Sequence, residues 1–279
     1  MGTARPTTGS ASDQGRRRFN ADALAVWAHG GGLGVAVADG IGDTADAYGA
    51  AHVAADTAAR AAADGGALDA LLAARTALAA GKGDAVLVVA ALRAGGGEIA
   101  WVGDCRAYFF DGAAVRLLTA DQTMAAAVRE AGVDTPPPRW EHVVTASVRS
   151  ASAGNAGRVP IPGGWGRLAL VTDGVHRELS GDEIAAVLAY AHDPATAARE
   201  LTDLALLAGS WPWASTAAIS AGESSRCTPS VTSASLPQPS GIRIRPAFPT
   251  DALRTLAVTT CSHRGAAATP ASRTAAAIV

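Results

Sequence analysis

The feature that most constrains this chain is a short grammar that occurs twice. Val35-Ala36-Val37-Ala38-Asp39-Gly40-Ile41-Gly42 runs four small apolar residues into an acid and two glycines. Leu168-Ala169-Leu170-Val171-Thr172-Asp173-Gly174-Val175 repeats it: apolar run, acid, glycine, apolar residue. Each apolar run reads as a buried strand, and an acid at its end sets a carboxylate at the rim of a sheet. Glycine after the acid allows positive φ and leaves backbone carbonyls open. One Asp-Gly is also an ordinary turn. Two strands that each deliver an Asp to one sheet end build a hard, oxygen-liganded cation site.

The residues around these elements set the fold class. Asp43 and Thr44 cap an alanine-rich helix to about Ala63, and Ala67 to Ala80 carries leucines at helical spacing. Ala23–Trp27 and Leu33–Ala38 form a hairpin through a glycine-rich loop. Four strands follow closely, at 85–93, 98–102, 107–110 and 114–118, with Gly-rich or Asp-Gly connectors. Such a meander excludes a doubly wound parallel sheet. Thr119–Gln122 opens a short helix to about Ala131, His142–Val148 reads as a strand, and 149–166 reads as an exposed loop. Ser180 with Glu183 forms a capping box for a helix to about Tyr190, and Asp193-Pro194 opens another to about Ala208. Helices segregated from antiparallel strands make an α+β protein.

Composition bounds the function. Of 279 residues 49% are hydrophobic, which supplies a core, while 17% are charged with a net charge of −2, which argues against a nucleic-acid partner. Cys105, Cys227 and Cys261 are too few and too far apart for a disulfide framework or a zinc site. The apolar run Ala85–Leu92 is too short to span a bilayer, and Met1–Arg18 lacks the apolar core of a signal peptide. The expectation is a monomer in the cytoplasm that does not touch membrane. Residues 1–12 are small and polar and read as unstructured. The stretch 221–279 holds six Arg against only Glu223 and Asp251, has no periodic apolar pattern, and reads as an unstructured tail or as a reading-frame artefact.

Five motifs in order then resemble the metal-dependent Ser/Thr protein phosphatases of type 2C (PPM), in their compact bacterial form. They are Asp13-Gln14-Gly15 with Arg17 and Asn20-Ala21-Asp22, then Asp39-Gly40-Ile41-Gly42, Gly103-Asp104-Cys105-Arg106-Ala107-Tyr108, Leu117–Thr123, and Thr172-Asp173-Gly174-Val175. The resemblance spans about 13–220. It implies a four-layer α-β-β-α sandwich with the site at one end of two antiparallel sheets flanked by helix pairs. It implies two Mn²⁺ or Mg²⁺ ions about 4 Å apart that activate a water for attack on a phosphorylated protein. In that scheme Asp39 bridges the metals, Asp22 and the Gly40 carbonyl serve one, Asp173 serves the other, and Asp104 serves a third, looser ion. Arg17 grips the phosphate, and Cys105 is structural.

The sequence also departs from the family's pattern. Ala21 stands where the family has an acid. Near 209–216 the family's Gly-Ser-x-Asp-Asn-Ala-Thr is replaced by Gly209-Ser210-Trp211-Pro212-Trp213-Ala214-Ser215-Thr216, with neither Asp nor Asn. One metal-ligating acid is thereby missing, so a catalytically inactive pseudophosphatase that binds phosphoprotein is the competing expectation.

Overall fold

The computed structural model describes residues 6–15, 17–161, 166–209, 215–222 and 274–278. A five-stranded sheet runs in the order β2 (Asp22–His29), β3 (Gly32–Gly40), β4 (Ala85–Arg93), β5 (Gly96–Val102), β8 (Gly157–Ile161). A second sheet has the order β10 (Ser215–Gly222), β1 (Pro6–Asp13), β11 (Thr274–Ile278), β9 (Arg167–Val171), β6 (Arg106–Phe110), β7 (Val115–Leu117), with a further β10–β9 pairing. All strand pairs are antiparallel.

The apolar runs are continuous because both faces of their strands are covered. In β3, Val35 and Val37 face the second sheet with Val88, Ile99, Phe109 and Leu170. Ala36 and Ala38 face the other way, into a cluster with the alanines of α1 (Ala45–Asp64) and with Leu71 of α2 (Ala67–Leu78). In β9, Leu168 and Leu170 join the inter-sheet core, while Ala169 and Val171 pack with Ile184 and Leu188 of α5 (Gly181–Tyr190) and Leu201 of α6 (Pro194–Ala208). The result is the expected α-β-β-α sandwich.

Small residues set the spacing of the outer layers. A Cβ on Gly34 would lie 1.9 Å from the Ala59 carbonyl oxygen, and one on Gly40 would lie 2.4 Å from that of Ala47. Helix α1 therefore rests directly on the β3 backbone, which is why it is built of alanine.

Several expectations need correction. Residues 6–12 are not unstructured: they form most of β1, and a Cβ on Gly9 would lie 2.2 Å from the Ala195 nitrogen. The strand exists because α6 packs onto its backbone, a tertiary cause that composition does not carry. Within the presumed tail, β10 runs to Gly222 and Thr274–Ile278 forms β11; the rest of 221–279 lies outside the described residues.

The meander at 85–118 divides, with β4 and β5 in one sheet and β6 and β7 in the other. The chain crosses at Gly103, whose φ of +90° only glycine takes readily. His142–Val148 is not a strand. A 3₁₀ turn, Pro138–His142, precedes it, only Val144 bridges to Thr123, and Ser147 and Arg149 turn in to bind Asp84. The loop 149–166 contains β8, which covers the edge of β5. The short helix after Thr119 starts later, as α3 (Met124–Glu130), capped by Thr123.

Candidate active site

Three ends of chain meet at one rim of the sandwich. Asp22 opens β2 and lies directly opposite Asp39 near the end of β3. Like charges in that relation oppose each other. Asp173 follows β9 as the first residue of the short helix α4 (Asp173–His176). Asp104 sits on the crossing between the sheets. Asp22, Asp104 and Asp173 are buried, while Asp39 is partly open to a cleft of about 440 Å³. Arg17, Asp39, Gly40, Asp104 and Asp173 all line this cleft. Asp22 lies behind them, where Thr172 Oγ1 donates to its Oδ2 at 2.8 Å.

Each position has a local cause. Gln14 holds the Arg17 loop, its amide donating to the carbonyls of Arg17 (2.7 Å) and Arg18 (3.1 Å). Asp43 receives the Arg18 and Phe19 N–H groups and ties that loop to the start of α1. The Gly40 N–H donates to the Ala21 carbonyl at 2.9 Å, and the Ile41 N–H to that of Asp84 at 2.9 Å. Gly42 takes φ +106°, turning the chain away beneath the cleft. The Asp104 crossing is clamped by Gln122, whose side-chain oxygen accepts from the Gly103 N–H at 3.0 Å, and by the two-pronged Arg106–Asp121 pair at 2.7 and 2.8 Å.

The electrostatics of this rim are those of crowded acid. Burial, and then the charges of Asp22, Asp173 and Asp104, push the Asp39 carboxyl well above its usual range, while Arg17 pulls it back. Burial and the charges of Asp104 and Asp22 push Asp173 up to about 8. Crowded, buried carboxylates that raise one another in this way hold protons more tightly than isolated ones. A site that holds a proton this way favours exchanging it for a cation. Its donors are all oxygen, the set that hard divalent ions take. Cys105 is buried beside the acids, and burial holds its thiol far from ionisation.

Other side chains complete the site. Arg177 stands four residues after Asp173. It donates from Nη2 to Asp104 Oδ2 at 2.8 Å and to the Glu141 carbonyl at 2.9 Å, and its Nε lies 3.3 Å from Asp173 Oδ2. His142 lines the cleft, with Nε2 3.3 Å from Arg177 Nη1. His176 is buried, its Nε2 donating to the Asp104 carbonyl at 2.9 Å, while Nδ1 has no partner among the described residues. Burial holds His176 neutral, with a pKa lowered to about 4. The i, i+4 spacing of Asp173 and Arg177 was the available sequence signal for the ion pair; His142 gave none. Among the described residues no three acid, imidazole or thiol groups close around one point. Of the altered motif at 209–216, residues 210–214 lie outside the described residues.

No family model matches the sequence, and no curated protein does. Solved structures do match. The serine/threonine phosphatase PstP/Ppp of Mycobacterium tuberculosis superposes with a TM-score of 0.65 at 23% identity, over 78% of this chain and 98% of that one. This chain has the fold of the bacterial PPM-type Ser/Thr phosphatases. The PstP catalytic domain in complex with two manganese ions gives a TM-score of 0.63 at 22% identity, over 78% of this chain and 97% of that one. The PPM Ser-Thr phosphatase MsPP of Mycobacterium smegmatis, in complex with cacodylate, gives 0.61 at 24%, over 78% and 98%. Among the described residues no helix is long and apolar enough to cross a membrane.

Proposed function

We propose that the protein is a divalent-metal-dependent phosphatase of phosphoserine and phosphothreonine in proteins. One observation carries this reading: Asp39 and Asp173, from separate elements, line one cleft with Arg17 while Asp22 lies behind Asp39, on a fold whose solved examples are Ser/Thr phosphatases. The all-oxygen donor set fits Mn²⁺ or Mg²⁺. Asp39 and the Gly40 carbonyl would hold the metal at the centre, with Asp22 behind them and Asp173 opposite. Such an ion, once bound, lowers the pKa of water toward 7 and so supplies the nucleophile.

The protein's own groups do the rest. Arg17, on a loop fixed by Gln14 and Asp43, takes the phosphate oxygens through charge-assisted bonds. Its guanidinium offsets the negative charge that the acids present to an incoming anion. Thr172 holds the Asp22 carboxylate in place, the kind of supporting contact that orients a ligand. Cys105, un-ionised and buried, takes no part. A second reading, binding of phosphoprotein without turnover, is favoured by Ala21 where an acid is expected and by the engagement of Asp104 with Arg177.

Hydrolysis of para-nitrophenyl phosphate with and without Mn²⁺ separates the two readings. The phosphatase reading expects metal-stimulated release that Asp39→Asn abolishes. A folded protein with no release at any Mn²⁺ concentration supports the binding module.

A further inference from the structure

Asp104 carries the one acid in the cleft wall whose expected role was to take an additional, looser ion, and it is already engaged. Arg177 reaches it from the end of α4, and its bonds come from three directions. Nη2 bonds Asp104 Oδ2 and the Glu141 carbonyl, Nε faces Asp173 Oδ2, and Nη1 meets His142 Nε2. A guanidinium has five N–H donors, and four are thereby directed at partners. Such an arginine is not an arm waiting for substrate. Its side chain is 22% exposed against 6% for Asp104 and 11% for Asp173, so the pairs are shielded from water. Removing one member of a buried pair leaves an uncompensated charge, and here it would leave two facing carboxylates.

We propose that Arg177 is a resident cation of this site, its guanidinium filling the place between Asp104 and Asp173 that a divalent ion would otherwise take. The inference rests on the metal-dependent reading for Asp39, and it deepens that reading by fixing how many ions the native chain accepts. It also explains how a chain with fewer acids keeps its cleft in order. Asp104 is held by protein, so its position does not wait on metal. Arginine suits this better than lysine, because its planar fork addresses two acceptors at once and is never deprotonated.

The test is Mn²⁺ stoichiometry by isothermal titration calorimetry and equilibrium dialysis, with far-UV circular dichroism to confirm folding. Parent, Arg177→Gln, Arg177→Lys and the double variant Arg177→Gln/Asp104→Asn are compared. The expected result is one more Mn²⁺ per chain in Arg177→Gln than in the parent, with no gain in Arg177→Lys, which keeps the charge. The double variant should lose the added ion. Parent and Arg177→Gln binding equal, non-zero numbers of ions would overturn the role of Arg177 and leave the metal-dependent reading standing. A parent that binds none, with a gain in Arg177→Gln that needs Asp104, would uphold Arg177 and sink the metal-dependent reading. No binding in either sinks both. If Arg177→Gln does not fold, Asp104→Asn decides: an unchanged number of Mn²⁺ ions relative to the parent upholds the proposal, because the guanidinium and not an ion occupies Asp104, and the loss of one ion overturns it.

Discussion

The two Asp-Gly elements share a grammar and differ in what they build. At 35–42 the strand β3 continues through Asp39 to Gly40, and the backbone then turns at Gly42, with φ +106°, under the start of α1. At 168–175 the strand β9 stops at Val171, and Asp173 is the first residue of a helical turn. The difference lies in the next residues. Ile41-Gly42 frees the chain, whereas Val175-His176-Arg177 winds it and returns Arg177 to Asp173 at i, i+4. One arm therefore shows its acid to the cleft with backbone around it; the other arrives with its own counter-charge. The same grammar leaves one acid facing the cleft and gives the other an ion pair, and the residues just downstream decide which.

Four experiments break or sharpen this contrast. The largest effect is expected at Asp39. Asp39→Asn should lower metal-dependent turnover about 10³-fold, the upper range for a single preorganised electrostatic group, whereas Asp104→Asn, on the arm held by Arg177, should cost about tenfold. Initial rates with para-nitrophenyl phosphate measure both, and equal losses would erase the distinction between the arms.

The second concerns His176. Its folded pKa, about 4, lies below the ordinary 6.5, so the unfolded chain takes up its proton first. Stability from this group is complete above pH 6.5 and falls as the pH drops toward 4, by on the order of 3 kcal/mol. The difference in unfolding free energy between the parent and His176→Gln, followed in chelator from pH 7 to 4, should shrink by that amount. A difference independent of pH would show that His176 is not held neutral.

Third, Gly40→Ala drives a Cβ to 2.4 Å from the Ala47 carbonyl oxygen. Lifting α1 from β3 should cost about 1–3 kcal/mol, read as a lower denaturant midpoint. Smallest of all is truncation after Gly222. Because β10 pairs with β1 along its whole length, Pro6 to Asp13, and β11 pairs with it only from Gly9 to Asp13, loss of β11 should move the melting temperature by no more than about 2–4 °C, the equivalent of 1 kcal/mol in a domain of this size.

The sequence was most legible where both faces of an element are decided by local pattern. The apolar runs of β3, β4 and β9, the Thr44 and Ser180 caps and the Asp193-Pro194 start are all where periodicity and capping rules put them. It was least legible where the cause is a distant neighbour. Strand β1 is Pro-Thr-Thr-Gly-Ser-Ala-Ser-Asp, with no alternating apolar pattern, and depends on α6 lying against Gly9. Strand β8 depends on a free edge of β5. In the site, Asp22, Asp39, Asp104, Asp173 and Arg17 were readable as acid and cation at motif spacing, and the fold brings them to one rim. The contacts that hold them were not: Thr172 on Asp22, Gln14 on the Arg17 loop, and His142 against Arg177 join residues far apart in the chain, or polar side chains with many other uses.

The most direct test of the contrast between the two arms is crystallographic. Crystals grown with Mn²⁺ and measured near the manganese absorption edge locate the ion by its anomalous signal, without reference to activity. The account predicts a peak beside the Asp39 carboxylate and none between Asp104 and Asp173, where Arg177 stays in place. A peak between Asp104 and Asp173 with Arg177 displaced, or no peak at Asp39, would contradict it.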